Sequence, residues 1–167
     1  METAVEALRV ARAGGVPTLL DPAPAAPLPD EAWTLLDHLT PNLGEAAQLV
    51  GASSDASPHE LADALRIRTS ATIVLTLGGD GVLVDDGIER THIPVVQSAE
   101  VVDTTGAGDA FTAAYAVAIV EGAPPEQAAR FGAAAGAHAV TTAEVVPSLA
   151  YRSELPDIGS SGAGGQL

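Results

Sequence analysis

Apolar and polar positions alternate along this chain with a period that switches repeatedly between helix and strand. Over residues 3–13, Ala4, Leu8 and Ala11 recur at helical spacing, and Gly14-Gly15 stops the run. Pro17-Thr18-Leu19-Leu20-Asp21 reads as a short buried strand ending in an acid. Pro22, Pro24, Pro27 and Pro29 stiffen the following loop, after which Asp30 is placed to cap a helix reaching Asp37. An extended piece, His38–Pro41, leads to Asn42 and a helix through Val50. Ser57-Pro58 opens a further helix over 58–69, with Pro58 at its permitted first position.

The β-branched run Thr72–Leu77 is the clearest strand. Gly78-Gly79-Asp80-Gly81 turns it into a second, Val82–Asp85, and Asp86-Gly87 turns again into Ile88–Ile93. Asp103–Phe111 leads into a long helix ending near Gly122, and Pro124-Pro125 starts another that runs to about Val140. Strands alternating with helices predict a layered α/β fold with a mostly parallel sheet and a hairpin insertion. The strands are few and short, and the chain begins on a helix that must pack on something. That pattern predicts part of a sheet. The Gly/Ser-rich stretch Gly159–Leu167 is expected to be disordered, and no internal repeat is apparent.

Composition narrows the function. The chain has 167 residues, 22 acidic and 7 basic, for a net charge of −15. Every basic residue is Arg. A broad basic face for nucleic acid is therefore excluded as an expectation. With zero Cys there is no disulfide scaffold, thiol nucleophile or Cys-based metal site. The longest apolar run, Ala113–Val120, is too short to cross a bilayer, and Met1-Glu2-Thr3-Ala4 lacks a basic signal region. The expectation is an acidic, globular, cytoplasmic domain without membrane partners. His38, His59, His92 and His138 lack metal-ligand spacing and read as surface or packing residues.

The chemistry concentrates in Val101-Val102-Asp103-Thr104-Thr105-Gly106-Ala107-Gly108-Asp109-Ala110-Phe111. An extended stretch ends, Gly106 and Gly108 free the backbone, and a helix starts at Asp109. Such a turn aims successive N–H groups at one spot on the positive end of a helix, which suits an anion. A carboxylate beside that spot is ill-suited to bind phosphate but well placed to accept a proton from an attacking hydroxyl. Read locally, Asp109 is equally a helix N-terminal acid and the glycines only make a turn.

DTTGAGDAF resembles the signature of the PfkB/ribokinase family of carbohydrate kinases. The similarity covers nearly the whole chain apart from the tail. Asp21-Pro22-Ala23-Pro24-Ala25 and Leu28-Pro29-Asp30-Glu31 resemble its ribokinase branch; Thr40-Pro41-Asn42 with Glu45 resembles its N-x-x-E motif, and Thr76-Leu77-Gly78 with Gly81 its nucleotide loop. The resemblance implies a ribokinase-like α/β/α fold and transfer of the ATP γ-phosphoryl group to a sugar hydroxyl. It implies Asp109 as catalytic base and the Gly106, Ala107, Gly108 and Asp109 backbone as anion hole. It further implies that Asn42, Thr76, Gly78, Gly81 and Ala133 lie along the nucleotide, and that Glu45 organises Mg²⁺ through water. Asp103, Thr105, Ala139, Thr142 and Ser148 would border a monovalent cation, K⁺. Where the family tends to carry Gly, this chain has Glu144, which bears on that cation loop. Each motif also has a local reading. Asn42-x-x-Glu45 is a capping box, Gly78–Gly81 a hairpin turn, and the alanines of 125–140 close helix packing.

The family has an N-terminal half that supplies the first strands, the lid and most sugar contacts, and this sequence lacks it. Residues 1–152 are thus expected to be a C-terminal kinase portion and 153–167 a tail, with a homodimer expected only of the full-length protein. The isolated chain is expected to have little or no turnover. The alternatives are a nucleotide-binding remnant without catalysis, a non-functional fold fragment, or a kinase for another acceptor such as fructose, ketodeoxygluconate or adenosine.

Overall fold

The computed structural model describes residues 2–95 and 101–158, which fall into two compact units divided after Val95. The predicted disorder of Gly159–Leu167 lies outside the described residues.

The first unit runs α1 (Glu2–Ala13), β1 (Leu19–Leu20), α2 (Asp30–Leu35), β2 (His38–Leu39), α3 (Leu43–Val50), α4 (Pro58–Arg68), β3 (Thr72–Thr76), a 3₁₀ turn (Gly78–Asp80), β4 (Val82–Asp85) and β5 (Arg90–Ile93). The sheet order is β1-β2-β3-β4-β5. β1, β2 and β3 are parallel, while β3-β4 and β4-β5 are antiparallel hairpins. The sheet is mixed, so the expected parallel character holds only for its first three strands. Connection length is the reason: helices bridge β1 to β2 to β3, and a hairpin turn permits only antiparallel return.

Ile73, Leu75 and Leu83 join Val5, Leu8, Trp33, Leu61 and Leu65 of the helices in one apolar core. Val74, Val82 and Val84 alternate to the other face and are buried too. Burial on both faces explains why Thr72–Leu77 reads as a continuous apolar run rather than an alternating one.

Several boundaries moved for local reasons. α2 stops at Leu35, short of Asp37, because Asp37 turns to serve Thr18 instead: its Oδ2 accepts the Thr18 N–H at 2.9 Å and the Thr18 hydroxyl at 3.0 Å. Pro29 occupies the N-cap position expected of Asp30, which becomes the first helical residue. Ile88 is exposed in a turn and not in β5, since Asp86 Oδ1 accepts the N–H groups of Ile88 at 2.8 Å and Glu89 at 2.9 Å.

The second unit contains α5 (Ala107–Val120), α6 (Pro125–Ala139) and a 3₁₀ turn (Arg152–Glu154). Phe111 and Tyr115 of α5 stack with ring centroids 6.2 Å apart, and burial pushes the Tyr115 phenol pKa upward. α6 buries Ala128, Ala129, Phe131, Gly132, Ala135 and Ala139, so most of its small residues do serve close packing. A Cβ on Gly132 would lie 2.9 Å from the Phe111 carbonyl oxygen, and one on Gly136 3.3 Å from that of Ala107. The two helices therefore approach to backbone contact beside the first turns of α5. Of the expected tail, residues 153–158 are described, and the first two of them complete the 3₁₀ turn. Among the described residues, no helix is long and apolar enough to cross a membrane.

Candidate functional site

In open α/β sheets, ligands gather outside the carboxyl ends of the parallel strands, where successive loops leave the sheet together. In the first unit that edge carries Thr40-Pro41-Asn42 after β2 and Thr76–Gly81 after β3. Asn42 and Thr76 are brought together as an isolated parallel bridge, with the Thr76 N–H donating to the Pro41 carbonyl at 2.9 Å. Asn42 is exposed and caps α3. Its Oδ1 accepts the Glu45 N–H at 2.9 Å, and Glu45 Oε2 accepts the Asn42 N–H at 2.8 Å. The local capping-box reading of this motif is thus correct in full. It leaves Glu45 Oε1 without a hydrogen bond within the box.

Gly78 to Gly81 form a 3₁₀ turn that links β3 to β4. Gly81 has φ +95°, and a Cβ there would lie 2.1 Å from the Ile93 carbonyl oxygen, so no other residue fits. Space around Gly78 and Gly79 is open, with no atom within 4 Å of a built Cβ. His92 on β5 steadies the turn: its Nε2 is 2.7 Å from the Asp80 carbonyl oxygen. The other expected packing histidine on the sheet, His38, has its pKa lowered by burial against the opposing pull of Asp37.

The second unit holds the DTTGAGDAF turn. Gly106 caps α5 in the left-handed region, φ +81°, ψ −3°, and no side chain caps the helix. The Ala107 N–H donates to Thr104 O at 3.3 Å, and helical bonding resumes only with Ala110 N–H to Gly106 O at 2.9 Å. Among the described residues, the N–H groups of Gly108 and Asp109 thus have no intrahelical acceptor, as at any helix start. Gly108 is exposed with open space around it, and Asp109 is exposed on the same turn. The arrangement is chemically able to do two things. Free N–H groups on the positive end of a 14-residue helix can take an anion, and a solvated carboxylate beside them can take a proton.

Behind the turn, Asp103 is fixed by its neighbours. Its Oδ1 accepts the Thr105 N–H at 2.9 Å. That bond, joined by the Thr105 hydroxyl and the N–H groups of Glu144 and Thr104, outweighs desolvation and holds its carboxyl below the ordinary Asp value. Asp103 and Thr105 are thereby brought to the 144–148 loop. Ser148 is buried there, its hydroxyl donating to Val145 O at 2.7 Å. Glu144 adopts φ +70°, a conformation that glycine takes without cost. Ala139 is buried in α6, Thr142 is exposed in the turn after it, and Ala133 is half-buried on α6. No hydrogen bond among the described residues joins these three to Asp103 or Thr105. Among the described residues, no three His, Asp or Glu side chains gather as a metal site. A groove of about 560 Å³ beside α1, lined by Val5, Arg9, Leu28 and Glu31, contains none of the candidate residues.

Two features escaped the sequence. The side chain of Val145 sits against Gly106, and Asp85 is a buried carboxylate shared by Arg66 and Arg90. Only the G-x-x-x-G spacing of Gly132 and Gly136 was a readable sign of the helix contact that sets α5 in place.

Comparison with known proteins bears on the same residues. The sequence family described as pfkB family carbohydrate kinase matches residues 1–150. The ribokinase of Haemophilus influenzae is 35% identical over 150 residues, which are 89% of this chain and 49% of that protein. Among solved structures, Arabidopsis thaliana ribokinase complexed with ribose and ATP superposes with a TM-score of 0.84 at 32% identity, over 91% of this chain and 50% of that one. The ribokinase of Thermotoga maritima gives 0.79 at 34% identity, over 89% and 50%. The chain spans about half the length of the relatives it matches.

Proposed function

The chain belongs to the pfkB family of carbohydrate kinases, and on that premise we propose that it carries the nucleotide-binding and proton-accepting part of an ATP-dependent sugar kinase of ribokinase type. The observation that carries this reading is the uncapped start of α5, with free N–H groups and an exposed Asp109 on one turn. ATP and a small sugar are the proposed substrates. Ribose comes first, because the Arabidopsis relative was solved with ribose and ATP.

In the proposed step an acceptor hydroxyl oxygen attacks the γ-phosphorus while its proton passes to the Asp109 carboxylate. The bond from the γ-phosphorus to the bridging oxygen breaks, and ADP leaves with that oxygen. The backbone N–H groups of Gly106–Asp109 face the charge that spreads over the transferring group. With no Lys in the chain, these amides take the role a cationic side chain would otherwise fill. Asn42, Thr76, Gly78, Gly81 and Ala133 are the proposed nucleotide contacts.

Glu45 fits a water-mediated Mg²⁺ role, because the capping box occupies only its Oε2. Mg²⁺ bound there would neutralise phosphate charge. The proposed monovalent-cation set fits less well: the Asp103 carboxylate and Ser148 hydroxyl are committed to backbone partners, and Glu144 stands in a glycine-like conformation. No step above depends on such a cation.

Because these residues match half of each relative, nucleotide binding without turnover is the reading for the chain by itself. Calorimetry with ATP and a ribose phosphorylation assay test both statements. ATP binding with at most trace turnover is expected. Absence of ATP binding overturns the nucleotide reading, and robust ribose phosphorylation by the 167 residues overturns the inactivity. A screen of the full-length gene product against ribose, fructose, ketodeoxygluconate and adenosine decides the acceptor.

A further inference from the structure

The first turn of α5 is held from behind by a residue outside the signature. A Cβ built on Gly106 would lie 2.7 Å from Val145 Cγ1 and 3.4 Å from Val145 Cγ2, so the two methyls fill the space that the missing side chain leaves. Val145 is itself fixed. Its carbonyl accepts both the Ser148 N–H at 3.3 Å and the Ser148 hydroxyl at 2.7 Å, and Ser148 is only 1% exposed. On the other side, Asp103 Oδ1 accepts the Thr105 N–H at 2.9 Å, and the backbone of Glu144, the residue before Val145, is among the groups that hold the Asp103 carboxyl low. The strand-like entry to the turn is tied to the end of α6, since Val140 O accepts the N–H groups of Val102 at 2.7 Å and Asp103 at 3.3 Å.

From this geometry we infer that Val145 is a positioning residue: its branched side chain, packed on Gly106, holds the N–H groups of the α5 first turn in the arrangement that receives an anion. The role in ligand binding rests on the reading of that turn given above. The physical basis is the left-handed φ of Gly106. Glycine populates that region no more readily than several others, so the residue that makes the turn possible does not keep it there. Packing against a fixed β-branched side chain removes the alternatives. Loss of that packing leaves the amides to sample orientations that bind phosphate poorly, and pre-organisation of such donors is where their effect on an anion lies.

The test uses the 167-residue chain and two readouts. Amide ¹⁵N relaxation in the ligand-free protein follows the ordering of Gly106, Gly108 and Asp109, and calorimetry follows ATP affinity. Val145→Ala is expected to lower the order parameters of those amides from about 0.85 to below about 0.6 while the middle of α5, Ala114–Ala118, stays rigid. The same variant is expected to weaken ATP about tenfold, equivalent to about 1.4 kcal/mol. Val145→Ile, which keeps the branch, should behave like the parent. Phe131→Leu, buried elsewhere on α6, should lower the melting temperature without changing either readout.

Unchanged order parameters at the three amides in Val145→Ala, or lowered ones along all of α5, overturn the positioning role. If the parent chain does not bind ATP, the nucleotide reading falls, and the relaxation data alone decide whether Val145 holds the turn. Should Val145→Ala fail to fold, Val145→Leu, which keeps an apolar side chain but moves the branch away from Gly106, gives the same pair of readouts.

Discussion

α3 and α5 both begin at residues singled out in the sequence, and they begin in opposite ways. α3 starts at Asn42 with two N–H groups, those of Asn42 and Glu45, answered by the reciprocal Asn42–Glu45 box, and α4 repeats the device with Ser57 and Glu60. α5 starts at an αL glycine with no side chain over its end. The carboxylates of the two units differ in the same sense. Asp85, 8% exposed, takes Arg66 at 2.6 Å and Arg90 at 2.6 Å, whereas Asp109 stands exposed on an open turn. Closed polar groups stabilise the fold because each donor meets an acceptor. Open ones at an exposed helix start are left to water or to a ligand, and in the proposed reading it is α5, not α3, that takes the anion.

The largest effect that could break this contrast is at Asp109. In the full-length gene product, Asp109→Asn is expected to lower sugar-kinase turnover by about 10²–10⁴-fold, the range for loss of a general base, with ATP affinity nearly kept. Steady-state kinetics and calorimetry read the two separately. Near-normal turnover would remove Asp109 from the role of base.

Asp85 should show the reverse signature, a loss of stability without a loss of binding. Asp85→Ala leaves two half-buried guanidinium groups facing an empty site, and about 3 kcal/mol of stability is expected to go, measured by urea unfolding. Acid should produce the same loss by degrees. Burial alone would raise the Asp85 carboxyl, but hydrogen bonds from Arg90, Arg66 and the Gly87 N–H outweigh it and leave the pKa below the ordinary 3.8. A group depressed on folding stabilises fully above its unfolded pKa and loses that contribution as pH falls through the folded one. Stability should therefore decline below about pH 4–5, and Asp85→Ala should flatten that decline.

The smallest effects sharpen the comparison between helix starts. Ser57→Ala and Asn42→Ala should each cost about 1 kcal/mol, as removal of an N-cap does. Only Asn42→Ala is expected to weaken ATP as well, because only Asn42 lies at the carboxyl edge beside Thr76. Equal ATP affinity in both variants would reduce Asn42 to its cap.

The elements that were legible are those whose signals are local. α1, α4, β3 and β4 follow from periodicity, β-branching and Pro58 at a first turn, and α5 from glycines ahead of an apolar run. Edges fared worse wherever a side chain competed for the backbone. Distant Thr18 took Asp37 out of α2, and neighbouring Asp86 took Ile88 out of β5, by hydrogen bonds that no periodicity encodes. The signature turn was readable because its chemistry lies within one stretch of chain. The 144–148 loop behind it was readable only through resemblance.

By itself the sequence determined the family signature, the starts of α3, α4 and α6, and the absence of any lysine that could hold phosphate. Backbone dihedral preferences and side-chain capping act over three or four residues, so these were written locally. Only the tertiary structure decided that Arg66 reaches a buried Asp85 and that Val145 fills the space Gly106 leaves. Those outcomes depend on which surfaces meet across 19 and more residues, as in the Arg66–Asp85 pair, and burial and close packing assign such partners after the local choices are made.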